Sequence, residues 1–180
     1  MWSTLNTRLA ASLLALDFRL DDREPFTHDT VQSSSRINFV EAPGLAIFEQ
    51  AWRDRDEWAR EHKADPFTYM RKCADAYDWL INHVIYGVYN SQAEVPPDAF
   101  ATTDLSLACC IVACDYFLLD ADRGARRFVF CRDAHELKMT GGEKITWMLA
   151  YLDKFAALKK MIKQSRLDSA RAMRETCASR

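Results

Sequence analysis

Leu107–Ala134 reads LACCIVACDYFLLDADRGARRFVFCRDA, and the chain has already spelled much of this once. Leu9–Asp22 reads LAASLLALDFRLDD, and a longer polar loop then leads to RINFVEA at Arg36–Ala42. A shift of 98 positions lays Leu9, Ala10, Ala15, Asp17 and Phe18 on Leu107, Ala108, Ala113, Asp115 and Tyr116. Arg36, Phe39 and Ala42 fall near Arg127, Phe130 and Ala134. At a shift of 78, FTYMRKCADAYDWLINHVI overlies ITWMLAYLDKFAALKKMIK, with Thr68 on Thr146, Met70 on Met148, Asp75 on Asp153, Leu80 on Leu158 and Val84 on Ile162. Two diverged copies of one unit account for both overlays.

The expected fold is therefore α+β and helix-dominated, a tandem duplication of a helix-hairpin-helix unit packed about a pseudo-two-fold, with the hairpins meeting in one small antiparallel sheet. The first unit spans 1–90, with an inserted helix at 45–63. A linker follows at 91–101, and the second unit at 102–180 ends in a basic helix. Leu5, Leu9, Leu13 and Leu16 are spaced for one buried helix face, with Ser3 or Thr4 as cap. Phe18–Leu20 and Arg36–Glu41 suit two strands, with REPFTHDTVQSSS read as loop between them. In the second copy the loop is nearly as short as a hairpin turn, and Gly124 is the residue able to take a positive φ there. Asp65 and Pro66 form a helix start, carboxylate cap and proline at the first turn, with the helix reaching about Tyr86. Thr103 or Asp104 caps the second unit's first helix, and Glu143–Arg166 forms its last.

At 180 residues the chain suits two small units sharing a core better than two independent ones. Its 49% hydrophobic and 28% charged residues exclude wholesale disorder, and five glycines with five prolines disfavour folds dense in tight turns. In the N-terminal MWSTLNTRLAASLLALDF no basic residue precedes the apolar run, and Arg8 interrupts it before Asp17 closes it, which fits neither a signal peptide nor a bilayer span. Six cysteines without an export signal read as free thiols, which places the protein in the cytoplasm. The net charge of −2 hides an asymmetry: residues 1–90 carry 10 basic and 14 acidic side chains, residues 123–180 carry 14 basic and 6 acidic.

Three constellations bear on chemistry. Cys110 and Cys114, with Cys131 and His135, have the pairwise spacing of a tetrahedral zinc site. The first copy folds without them, and free cysteine inside an apolar helix is a common core residue, so no metal and no cofactor is expected. Paired acids recur where each first helix enters its hairpin, Asp17 with Asp21 or Asp22 and Asp115 with Asp120 or Asp122. There LLDADRG, Leu118–Gly124, resembles the signature of the LAGLIDADG homing endonucleases, a resemblance that covers these residues only. It implies a helical segment whose acids hold a divalent metal at a pseudo-two-fold axis, as in a metal-dependent nuclease. Turn-forming aspartates explain both copies without it. His28, His62, His83 and His135 do not recur between copies, and no nucleophile elbow or phosphate-binding loop is present.

The third constellation is cationic. Arg123, Arg126, Arg127 and Arg132 surround the second hairpin, and Lys159, Lys160 and Lys163 punctuate the last helix. Trp52 and Trp58 in the inserted helix supply aromatic side chains of the kind enriched at interfaces. Together these point to a non-catalytic binding or adaptor protein that uses the inserted helix and the basic second half. A protein partner is expected, with nucleic acid the alternative and homo-oligomerisation compatible with either. No membrane partner is expected.

Overall fold

The computed structural model describes residues 2–29, 34–62, 65–87, 89 and 94–178. Its elements run β1 Trp2–Thr4, α1 Thr7–Ala15, β2 Phe26–Asp29, β3 Ser34–Phe39, α2 Leu45–Arg53, α3 Arg55–Glu61, α4 Pro66–Trp79, β4 Phe100–Thr102, α5 Leu105–Ala113, β5 Leu118–Asp122, β6 Arg127–Phe130, α6 Asp133–Thr140 and α7 Gly142–Ala178. A π-turn at Leu80–Ile85 prolongs α4. The α+β, helix-dominated expectation describes the molecule. The described residues form two three-stranded antiparallel sheets where one shared sheet was expected, in the orders β1-β3-β2 and β4-β6-β5. Each sheet takes its third strand from the segment just before its helix, so the hairpins close locally.

The chain forms two compact units. One comprises residues 1–57 and 153–180, and the other residues 58–152. In the first unit, α1 buries Leu9, Ala10, Ala11 and Leu13 with Ile37 and Phe39 of β3, and Phe155 and Leu158 of α7 join the buried set. In the second, Ala108, Cys109, Cys110 and Ile111 of α5 are buried with Phe128 and Phe130 of β6, Phe67, Met70 and Cys73 of α4, and Met148 and Tyr151 of α7. In α4 and α7 the buried Phe67, Met70 and Ala74, and Met148, Tyr151 and Phe155, repeat at helical spacing, whereas α5 is buried at four consecutive positions.

The cap of α1 is Asn6, two residues after Thr4 and three after Ser3. Asn6 Oδ1 accepts the N–H groups of Arg8 and Leu9 at 3.0 and 3.1 Å, and Thr4 Oγ1 accepts that of Asn6 at 3.0 Å. This frees Trp2–Thr4 to pair with Ile37–Phe39. Ninety-eight residues on, Asp104 Oδ1 accepts from Ser106 and Leu107, and Thr102 Oγ1 accepts from Asp104. Both helices end the same way. Phe18 N donates to Leu13 O and Asp17 N to Leu14 O, as Tyr116 N does to Ile111 O and Asp115 N to Val112 O. Each is a Schellman closure, and the residue that must turn left-handed is aspartate, at φ 64° for Asp17 and 67° for Asp115.

The hairpins differ from the sequence reading. Of Phe18–Leu20 only Leu20 makes a bridge, to Phe39. The strand proper is Phe26–Asp29, inside the stretch whose polarity suggests loop. Asn38 is the reason. Fully buried, it donates Nδ2–H to Glu24 O at 2.7 Å and to Thr27 Oγ1 at 2.9 Å, while its N–H meets Pro25 O and its C=O accepts from Asp21 N. One asparagine thus hooks the loop at 21–25 onto the sheet and delivers Phe26 to the core. In β5–β6 the left-handed residue is Arg126, φ 49°, rather than Gly124, because the Asp122 carboxylate accepts Ala125 N–H and sets the turn one step later. The inserted helix at 45–63 is two helices, broken at Asp54. Asp65 and Pro66 start α4 as expected, with Asp65 Oδ2 accepting from Thr68 N.

Candidate binding surface

The sequence-predicted cations divide between the two units. Arg123, Arg126, Arg127 and Arg132 belong to the unit at 58–152, and Lys159, Lys160 and Lys163 to the other. Arg123, Arg126 and Arg127 are all exposed within one five-residue turn. Among the described residues none of the three forms an ion pair. The turn is held by its own backbone: Asp122 Oδ1 fixes Ala125 N–H, Arg126 N–H reaches Arg123 O at 3.4 Å, and Asp122 faces Arg127 across the ladder. Three guanidinium groups on a braced hairpin tip present planar donor forks suited to carboxylate or phosphate. Arg132 stands apart, in a 3.6 Å surface pair with Asp98.

Along α7, Lys159, Lys160 and Lys163 are exposed. Lys159 Nζ lies 5.3 Å over the Phe155 ring, and Lys159 and Lys163 line a cleft of about 440 Å3 with Thr7, Ile162, Arg166 and Leu167.

The tryptophans serve the fold. Trp52 is buried, 9% exposed, in α2. Half-buried Trp58 stacks on His62 at 3.9 Å, meets Phe67 edge-on and donates Nε1–H to Asp65 at 3.4 Å, which ties α3 to the cap of α4. The most exposed aromatics among the described residues are Phe117 at 83% and Tyr86 at 72%. Tyr89 Oη donates to Leu118 O at 2.6 Å, and burial, then the Asp120 charge, pushes its pKa up.

Cys73, Cys109, Cys110, Cys114 and Cys131 are free thiols. Cys110 is fully buried in α5, and a hydrogen bond with it, then burial, pushes the Cys73 thiol well up; burial does the same to Cys109 and Cys114. Thiols held protonated are poor metal ligands and nucleophiles. His135 is exposed, with its ring 5.2 Å from that of Phe100. Among the described residues no group of three or more His, Cys, Asp or Glu side chains is placed to hold a metal ion. The LLDAD string is strand β5, not the helix that its resemblance implied, because it pairs antiparallel with Arg127–Phe130.

The sequence reading did not single out His28 as part of a site. Its Nδ1 lies 2.8 Å from Ser35 Oγ and its Nε2 2.8 Å from Ser165 Oγ, while Arg166 donates Nε–H to the same Ser35 oxygen at 2.7 Å. Whichever tautomer is present, one ring nitrogen donates and the other accepts. The network spans 137 positions of chain, which no local pattern could reveal.

No family model matches the chain, and no curated protein or solved structure does so either. Among the described residues, no helix is long and apolar enough to cross a membrane.

Proposed function

We propose that the chain is a non-catalytic cytoplasmic binding protein, built by tandem duplication of one β-α-β-β-helix unit, that engages an acidic macromolecular partner through the arginine tip of β5–β6. The pseudo-two-fold relation expected from the sequence belongs to this proposal. The single observation that carries the function is the exposure of Arg123, Arg126 and Arg127 on one braced turn with no ion pair among the described residues. Exposed cations that the fold does not use are the electrostatic footprint of an acidic partner. Lys159, Lys160 and Lys163 supply a second cationic strip, and Trp58 rather than buried Trp52 is the aromatic of the insert with surface to offer.

Binding of the full chain to fluorescein-labelled polyglutamate and to a labelled single-stranded oligonucleotide, each followed by anisotropy across a salt series, tests the reading. Arg123→Glu with Arg127→Glu should weaken polyglutamate binding about tenfold or more, since like charges then face the acidic probe. Tighter binding of the oligonucleotide, with a salt slope that flattens in the double variant, selects nucleic acid as the partner. Equal binding of both probes by wild type and double variant overturns the proposal.

A further inference from the structure

In the unit at 1–57 and 153–180, β2 is an edge strand of its sheet. Its hydrogen-bond phase follows from one contact: Asn38 N donates to Pro25 O at 3.0 Å, so Pro25 and Asn38 form a bonded position of the ladder. Bonded positions alternate in antiparallel pairs. With Phe26 opposite Ile37 and His28 opposite Ser35, the bonded positions are Thr27–Arg36 and Asp29–Ser34. The N–H and C=O groups of Phe26 and His28 therefore point away from β3. Among the described residues they have no partner.

Beside this edge lies a cleft of about 490 Å3 whose other wall is the C-terminal part of α7, with Ser169, Ala170 and Met173. The α7 stripe of Phe155, Leu158 and Ile162 continues to Ser165, Ser169 and Met173, and Met173 is 54% exposed. Phe26 lines the strand side, and Glu24 and Asp29 stand at the two ends of the edge. Arg166, also in the lining, donates its Nε–H inward to Ser35. His28, tied to Ser165, fixes the width of the cleft. Four outward main-chain groups at strand spacing, an apolar wall and carboxylates at both ends describe a slot for an extended chain.

We infer that the groove between β2 and α7 takes an extended peptide as a fourth strand, with an apolar side chain against Phe26, Ala170 and Met173 and basic side chains at its ends facing Glu24 and Asp29. Main-chain bonds to Phe26 and His28 would give affinity, and the apolar and basic positions would give selectivity. This site is separate from the arginine hairpin and stands whether or not that reading holds.

The probe is fluorescein-labelled Lys-Val-Thr-Val-Thr-Lys, capped at its C-terminus as the amide, titrated with the full chain. Saturable binding is expected, weakened about tenfold when proline replaces the second valine, the loss that follows from removing main-chain hydrogen bonds. Ala170→Trp, an exposed position, should fill the groove and weaken binding by at least as much with circular dichroism unchanged, and Glu24→Lys should weaken it less. If Ala170→Trp perturbs the fold, Glu24→Lys and the proline peptide carry the test alone. No saturable binding, equal binding of the proline peptide, or dimerisation through β2 that Ala170→Trp abolishes would each overturn the inference, the last by assigning the edge to a second copy.

Discussion

Unit for unit, the region Trp2–Phe39 and the region Phe100–Phe130 run strand, capped helix, left-handed aspartate and hairpin, yet nineteen positions separate Leu20 from Phe39 and only twelve separate Leu118 from Phe130. The difference lies in the hairpin, and it is paired with one buried side chain. Asn38 and Val129 both sit one residue before the phenylalanine that closes the sheet. Where the hairpin carries the extra loop at 21–25, the residue is an amide that bonds the loop; where it does not, the residue is an apolar side chain. The longer connection goes with a polar side chain at that core position, while the shorter hairpin ends in a turn carrying three exposed arginines.

The comparison can be broken most severely at that position. Val129→Asn places an amide in a core with no loop to bond and should cost about 1–3 kcal/mol. Asn38→Val leaves the loop carbonyl of Glu24 without its donor and should cost roughly 1–2 kcal/mol, with amide protons of 21–25 exchanging faster. Urea melts of the two variants check both figures, and a neutral Val129→Asn would show that the positions are not equivalent. Among the described residues Asn38 Oδ1 has no partner, a desolvation cost that apolar Val129 does not carry.

The helix ends sharpen the comparison. An L-residue in the left-handed region is disfavoured, so Asp17→Gly should stabilise by ~0.5–1 kcal/mol. Asp115→Gly should gain less, since it also deletes the 3.0 Å exposed pair with Lys72, worth roughly 0–1 kcal/mol. Thermal melts showing the larger gain at 115 would contradict the shared geometry.

Much of this was legible in the sequence, and what was missed has a physical cause. The Asp65–Pro66 start and the Asp104 cap follow from local chemistry, which leaves a signature within four residues. The strand at Phe26–Asp29 did not, because one aromatic among polar residues carries no period, and the hydrogen bonds of Asn38 that hold it come from a distant position in the chain. Trp52 and Trp58 show a second limit: composition flags a tryptophan, but whether its ring faces solvent depends on partners such as His62 and Phe67. The arginine hairpin was legible as a cluster, although not that Arg126, rather than Gly124, takes the left-handed step.

The smallest expected effect concerns acid. The Asp21 carboxylate accepts N–H bonds from Glu24 and Arg23, which hold its pKa below the ordinary carboxylate value. A depressed folded pKa gives support that is present above the unfolded value and lost as pH falls through the folded one. A carboxyl NMR titration should find Asp21 below the ordinary carboxylate value, with amide exchange at 23–24 rising only in acid.

Arg36 and Arg127 offer the most direct test of the binding proposal. They occupy matching exposed positions of β3 and β6, one facing Thr27 and the other facing Asp122. The measurement is the affinity of Arg36→Glu and of Arg127→Glu for polyglutamate, each change moving the net charge by the same amount. The proposal predicts that Arg127→Glu weakens binding by several-fold, because it reverses a charge within the cluster, while Arg36→Glu changes it by less than about twofold. Equal losses in the two variants would reduce the effect to net charge and contradict a binding site on the β5–β6 hairpin.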